Sequence, residues 1–194
     1  MARPAAAGYA WAMSGARIVI VSGPPGAGKS TIARRLAEGS DAAAAVHLHT
    51  DDFYAYIRKG YVEPWRPESQ AQNVTVMNAL AGAAATYALG GYEVLVDGIV
   101  GPWFFDPWLA AAAAHHLDLR YILLMPDEAS TVARGVARTA PNAMTDPAVI
   151  RTMWGHFQAF APPAGHVIDT TGQTLEETLA AVRTGLEQGE FNLS

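Results

Sequence analysis

The chain has 194 residues, 51% of them apolar and 16% charged, with a net charge of −5; such a chain fits one globular domain that can bury a proper core. Its basic residues form no run longer than the pairs Arg34-Arg35 and Arg58-Lys59, which lacks the clustered positive footprint of a nucleic-acid binder. It contains no cysteine, and no apolar stretch approaches the length of a membrane span; disulfides, thiol nucleophiles and thiolate metal sites are excluded.

Residues 1–15 carry Arg3 and several alanines but lack the apolar centre of a secretory signal. They read as a loose leader of a cytoplasmic protein, ahead of a single domain at 16–190. The first buried strand is the apolar run Ile18 to Val21. It leads into Gly23-Pro24-Pro25-Gly26-Ala27-Gly28-Lys29-Ser30-Thr31, the pattern Gly-x-x-x-x-Gly-Lys-Ser, and a helix-compatible stretch follows to Glu38. Glycines in such a turn let backbone N–H groups point inward, and the helix N-terminus adds partial positive charge, so the loop cradles a polyphosphate. Lys29 is expected to reach the β- and γ-phosphates and the Ser30 hydroxyl to ligate Mg²⁺. The expected ligand is a nucleoside triphosphate.

A second strand, Ala45 to Thr50, runs into Asp51-Asp52-Phe53-Tyr54. His47 and His49 share one face of it; with no third ligand at metal-binding spacing, they read as making local hydrogen bonds. Residues 56–67 mix aromatic, basic, Gly and Pro residues and suit an irregular or partly helical flap. A helix is predicted from about Glu68 to Leu89, with Val74, Met77, Ala81, Ala84 and Ala88 on its inner stripe and Gly90-Gly91 at its end. The third strand, Glu93 to Asp97, ends on a carboxylate. Asp106-Pro107 reads as the cap and first residue of a short helix to about His115.

Leu119 to Met125 is a fourth buried strand, and Asp127 caps a helix carrying Arg134 and Arg138. Turn chemistry over 139–146 predicts a lid. Pro147 opens a helix whose stripe of Val149, Ile150, Met153, Trp154, Phe157 and Phe160 reads as core. His166 to Asp169 is a fifth strand, and Thr174 with Glu177 forms a capping box for the last helix, lined by Leu175, Leu179, Val182 and Leu186. Buried strands alternating with helices predict an α/β fold: a five-stranded parallel sheet with helices on both faces. The site then lies at the carboxyl ends of the strands, where the Gly23–Ser30 loop, Asp51-Asp52, Asp97-Gly98 and Asp169-Thr170 converge.

Three features narrow the chemistry. Asp97 is placed to hold Mg²⁺ together with Ser30, but Gly98 follows it where a hydrolytic AAA-type ATPase has a water-activating glutamate. No Asn-Lys-x-Asp guanine reader is present. A carboxylate stands at the end of the second strand, where transfer to an alcohol needs a base. Asp51 is the choice for base; Asp52 caps the next turn or binds Mg²⁺, and the alternative is that both acids only cap. The acceptor side is aromatic, with Tyr54, Tyr56, Tyr61, Trp65, Trp103, Phe104 and Phe105. Such rings suit an uncharged or weakly charged hydroxyl compound, or else fill a small second core. Arg58 and Lys59 either meet an anionic acceptor or are solvated surface.

The Gly23–Ser30 loop, Thr50-Asp51-Asp52-Phe53, Val96-Asp97-Gly98, the arginine-bearing helix with its lid, and Ile168-Asp169-Thr170-Thr171 together resemble the small P-loop kinases. The resemblance, over residues 16 to about 186, is to the branch of chloramphenicol phosphotransferase, gluconate kinase and zeta-toxin-like enzymes. It implies a strand order 2-3-1-4-5 and ATP with Mg²⁺ as cofactors. It also implies transfer of the γ-phosphoryl group to a small-molecule hydroxyl. Asp51 maps to the branch's base or substrate anchor; Arg134 and Arg138, with Arg151 as a third candidate, map to its lid arginines. The chain lacks the arginine that adenylate-type kinases carry after the third strand and the Gly-rich loop of shikimate kinases at the same place. The rival readings are a nucleotide-sugar or polynucleotide kinase and an ATP-sensing regulator without turnover.

Overall fold

A computed structural model describes residues 16–139, 143–159 and 165–193. Strand β1 (Arg17–Ser22) continues through the glycine loop into α1 (Lys29–Glu38). Strand β2 (Ala45–His49) is followed at once by the short α2 (Thr50–Ala55), and irregular chain then leads to α3 (Gln70–Leu89). Next come β3 (Glu93–Gly98), α4 (Phe105–His115), β4 (Asp118–Leu124), α5 (Glu128–Val136) and α6 (Pro147–Ala159). The two-residue β5 (Val167–Ile168) and α7 (Leu175–Glu187) complete the order.

All strand pairs are parallel and the sheet runs β2-β3-β1-β4-β5, the expected topology. Side chains alternate across each strand, so a sheet covered on both faces needs two apolar layers. Ile18, Ile20, Val94, Val96, Leu119 and Tyr121 face α3 and α4. Val19, Val21, Leu95, Ile122 and Leu124 face α1 and α7. This two-sided burial is why the strands read as continuous apolar runs. It also fixes register: Val21 lies opposite Asp97, and Asp97 opposite His49.

Several predicted details shift. Thr50 opens α2 instead of ending β2, so both acids sit in the first turn of a helix whose N-cap, His49, makes no side-chain cap bond. Neither acid is the cap. Helix α4 starts one residue before Asp106, with Phe104 at the N-cap. On α3, Met77, Ala81, Ala84 and Ala88 are buried as expected, but Val74 is 41% exposed and Asn73 takes the inward place. The Thr174–Glu177 capping box and the Asp127 cap, which accepts from the Ser130 amide, form as predicted. The predicted leader, the centre of the lid at 140–142, and Phe160 lie outside the described residues. Among the described residues no helix is long and apolar enough to cross a membrane.

Candidate functional site

The glycine loop is shaped by missing side chains. Gly28 is the N-cap of α1 in the left-handed conformation (φ 90°), and a Cβ placed there would meet no atom within 4 Å. The position opens onto the cleft, where an added side chain would stand in the space a phosphate needs. No side chain caps α1 and no acid occupies its first turn, which leaves its amides and positive end free for an anion. Gly26 serves the opposite face: a Cβ would lie 2.7 Å from the Gly135 amide nitrogen, so its absence lets α5 back onto the loop. Pro25, Gly26, Gly28, Lys29, Ser30 and Thr31 line the cleft, while Gly23, Pro24 and Ala27 are buried beneath it.

Lys29 donates from Nζ to the Pro24 carbonyl at 2.9 Å, folded back on its own loop. Burial lowers its pKa to about 8, although Asp97 and Asp51 pull it upward and Arg138 pushes it down further. A buried ammonium with that deficit gains from an incoming polyanion. Arg134, on α5, donates to the Thr170 carbonyl at 3.3 Å and lines the cleft. Arg138 lies beyond the end of α5 and lines the same wall. Arg151 does not join them: it pairs with Glu128 at 3.3 Å and is absent from the lining.

Ser30 donates to Asp97 Oδ2 at 2.5 Å, joining the first turn of α1 to the end of β3 as predicted. Asp97 is fully buried. Its other oxygen, Oδ1, meets His47 Nε2 at 2.6 Å and His49 Nδ1 at 3.0 Å. Burial alone would push this carboxyl up, but the His47, His49 and Ser30 hydrogen bonds and the His49 charge hold it well below the usual range. Both histidines therefore bond to the neighbouring strand, to a residue some fifty positions away; only His49 also has the expected local partner, Asp51. Gly98 makes room for the same corner: a Cβ there would fall 2.0 Å from Thr50 Oγ1.

Asp51 is 74% exposed on the cleft, with Oδ2 3.4 Å from His49 Nε2. The His49 contact, against the effect of partial burial, keeps its pKa below the ordinary value, with help from Lys29. His49, held first by Asp51 and then by Asp97, has its pKa raised to about 10, so the ring is an imidazolium between two carboxylates at neutral pH. Asp52 lines the cleft wall. Its side chain makes no hydrogen bond or ion pair with Ser30, Asp97 or any other described residue, so the structure does not gather it into the predicted metal group.

Ser30 and Asp97 fit a hard cation: both offer oxygen, and they meet beside a loop opened by Gly28. Among the described residues no group of three or more His, Asp or Glu side chains is arranged to hold a metal alone. The remaining ligands of an Mg²⁺ ion would therefore be phosphate oxygens and water.

Beyond Asp51 the cleft, of about 1670 Å³, widens between α2, the 56–67 segment, α3, the loop after β3 and α6. Tyr54, Tyr61, Trp65, Trp103 and Phe104 line it as predicted. Tyr56 and Phe105 do not. Tyr56 is 69% exposed and packs on Phe53, and Phe105 stacks edge-on against the core residue Tyr121 at 4.8 Å. Arg58 is exposed and lies off the cleft, so the structure does not gather it with the other residues predicted to face the acceptor. The α6 stripe divides. Ile150 and Phe157 are buried, as expected of core, while Val149 and Met153 line the cleft. Sequence reasoning missed Asn73. Its amide donates to the Pro64 carbonyl and Ser69 Oγ, and its Oδ1 accepts from the Tyr54 hydroxyl. A polar residue on the inner stripe of an alanine-rich helix was the available signal.

Sheet order, glycine loop and strand-end acids together define a P-loop protein. Residues 18–160 match the family model described as AAA domain, and the chain belongs to that family. Among solved structures, the chain is similar to the tunicamycin resistance protein of Deinococcus radiodurans, at 13% identity, with 88% of this chain and 95% of that one covered and a TM-score of 0.62. A gluconokinase from Sinorhizobium meliloti 1021 aligns at 18% identity, over 89% of this chain and 92% of that one, with a TM-score of 0.62. The APS kinase of Mycobacterium tuberculosis, solved with AMPPNP and APS, aligns at 17% identity over 88% and 97%, with a TM-score of 0.58. None of the curated proteins matches the sequence. The fold is that of the small P-loop kinases which the sequence resembles.

Proposed function

We propose that the protein is an ATP- and Mg²⁺-dependent phosphotransferase that moves the γ-phosphoryl group to a hydroxyl of a small molecule such as an antibiotic or a sugar. The observation that carries this reading is the position of Asp51. Its carboxylate shares one cleft with Lys29 of the glycine loop and is exposed on the wall of its aromatic part. A hydroxyl bound among Tyr54, Trp65, Trp103 and Phe104 would meet that carboxylate on its way to the terminal phosphorus.

In the proposed reaction the acceptor hydroxyl donates its hydrogen bond to Asp51. Its oxygen forms the new bond to the γ-phosphorus as the bond to the β–γ bridging oxygen breaks, and ADP departs. The proton passes to Asp51 and on to solvent. A loose transition state asks little basicity of the base, so a carboxylate held below its ordinary pKa serves chiefly to orient the hydroxyl. Lys29, the loop amides, Arg134 and Arg138 offset the charge on the transferring group. Mg²⁺, when held by Ser30 and Asp97, supplies further charge neutralisation. Gly98 after Asp97 speaks for transfer over simple hydrolysis.

The experiment is a screen of hydroxyl compounds (antibiotics, nucleosides, sugars) with ATP, read by mass spectrometry for a phosphorylated product. Asp51→Asn is expected to bind an ATP analogue as wild type does and to lose transfer by roughly 10²- to 10⁴-fold. Full activity in that variant would remove Asp51 from the mechanism. Binding of ATP with no product from any acceptor would favour a nucleotide sensor.

A further inference from the structure

The face of β2 that looks toward α1 carries His47 and His49, while Val46 and Leu48 pack into the opposite core layer. The register sets His47 beside Leu95 and His49 beside Asp97. Strand periodicity thus delivers both imidazoles to one carboxylate. The His47 side chain is 23% exposed and that of His49 31%, against none for Asp97. Both rings meet the same oxygen, Oδ1, which leaves Oδ2 to Ser30 alone.

This is a division of labour within one carboxylate. A buried carboxyl bonded only to Ser30 would be free to turn about its Cβ–Cγ bond and present either oxygen, or both, to the loop. Two ring nitrogens on Oδ1 remove that freedom and hold Oδ2 toward the first turn of α1. Outer groups that orient a metal-bearing side chain typically change cation affinity 10- to 100-fold when removed.

We propose that His47 and His49 are positioning residues that lock the Asp97 carboxylate with Oδ2 toward Ser30, and that they thereby set the affinity of the nucleotide-loaded site for its divalent cation. The inference rests on the phosphotransferase reading above. Its closing measurement needs no acceptor. His49 has a second reach, since its Nε2 lies 3.4 Å from Asp51, so the ring that steadies the metal-bearing acid also touches the proposed base.

The two rings use different nitrogens, and side-chain amides separate the contacts. The amide nitrogen of Gln lies near the position of a histidine Nε2, and that of Asn near Nδ1. His47→Gln and His49→Asn should therefore keep the bond to Asp97, whereas His47→Asn and His49→Gln should lose it. The probe is Mn²⁺, titrated into the full chain saturated with ADP and followed by the electron paramagnetic resonance of the free ion. Metal-free affinity for a fluorescent ADP analogue serves as control. Wild type, His47→Gln and His49→Asn should agree within about threefold, and His47→Asn and His49→Gln should bind Mn²⁺ roughly 10- to 100-fold more weakly. Affinity for the metal-free nucleotide should not change. A role limited to packing would not produce this crossed pattern. Equal Mn²⁺ affinity in all four variants, or equal loss in both variants at each position, overturns the proposal. The positions are tested independently, so a variant that fails to fold leaves the other pair to decide. A wild-type chain that binds no ADP analogue would instead strike down the phosphotransferase reading, and this inference with it.

Discussion

The two ends of the cleft are built in different ways. The proposed phosphate end is made by eight consecutive residues, Gly23–Ser30, whose backbone would do most of the recognition, and it needs only a strand before it and a helix after it. The acceptor end has no such contiguous source. It is assembled from α2, the flap, α3, the loop after β3 and α6, and its shape depends on how these pack. The first can be carried from one protein to another as a motif; the second has to be rebuilt for each substrate. Phosphate groups are the same in every triphosphate, and acceptors are not.

The largest test of this contrast is at the phosphate end. Lys29→Met should lower phosphoryl transfer by roughly 10²- to 10³-fold, as loss of one preorganised donor does elsewhere, with little effect on acceptor binding; steady-state kinetics for ADP formation would read both. A second test uses pH. In the free protein Lys29 has a pKa of about 8, below its ordinary value, and a bound triphosphate should raise it. Below pH 8 both states carry the ammonium and affinity is flat in this group. Above it the free state has lost the proton that the complex retains. Triphosphate affinity should therefore weaken by up to about tenfold per pH unit until the raised pKa is passed, measurable by fluorescence titration between pH 7 and 9.5.

The acceptor end should respond differently. Asn73→Ala leaves the Tyr54 hydroxyl without its partner and removes one of the two side-chain hydrogen bonds to the Pro64 carbonyl, the other being from Ser69. A stability loss of about 1–3 kcal/mol is expected, seen as a lower denaturant midpoint. Nucleotide affinity should be unchanged, because no atom of the phosphate loop contacts Asn73 among its hydrogen bonds. The smallest effect is reserved for a residue that sequence reasoning offered and the structure sets aside. Arg151→Ala breaks an exposed pair with Glu128 and should cost less than about 0.5 kcal/mol, with transfer unaltered; a strong loss of activity would return Arg151 to the site.

How much of this was legible in the chain follows from the same contrast. The loop, its lysine and serine, and the Asp97 strand end are each local, and each was found where the sequence put it. The convergence of the loop and the Asp97 strand end was also expected, because they lie at the same edge of a parallel sheet; the direct Ser30–Asp97 bond comes from the structure. The histidines were read as local because His47 and His49 carry no signal of a partner in the next strand; that partner is set by the β2–β3 register. Arg58 and Tyr56 looked like acceptor contacts beside Tyr54 and Trp65, yet neighbours in an irregular segment point in different directions, and these two point away. Val74 and Asn73 differ by one position on α3, which is a turn of about 100° and the difference between solvent and cleft.

The strand order was implied only by the resemblance to the small P-loop kinases; the amino-acid sequence by itself determined the alternation of buried strands and helices and the glycine turn after the first strand. It could do so because apolar periodicity, glycine conformation and helix ends act over a few residues. Only the tertiary structure decided which rings face the cleft, which arginines reach it, and that two histidines clamp the buried Asp97 while one of them, His49, also reaches Asp51. Those outcomes depend on which side chains from distant segments meet in one volume, and no run of neighbouring residues encodes that meeting.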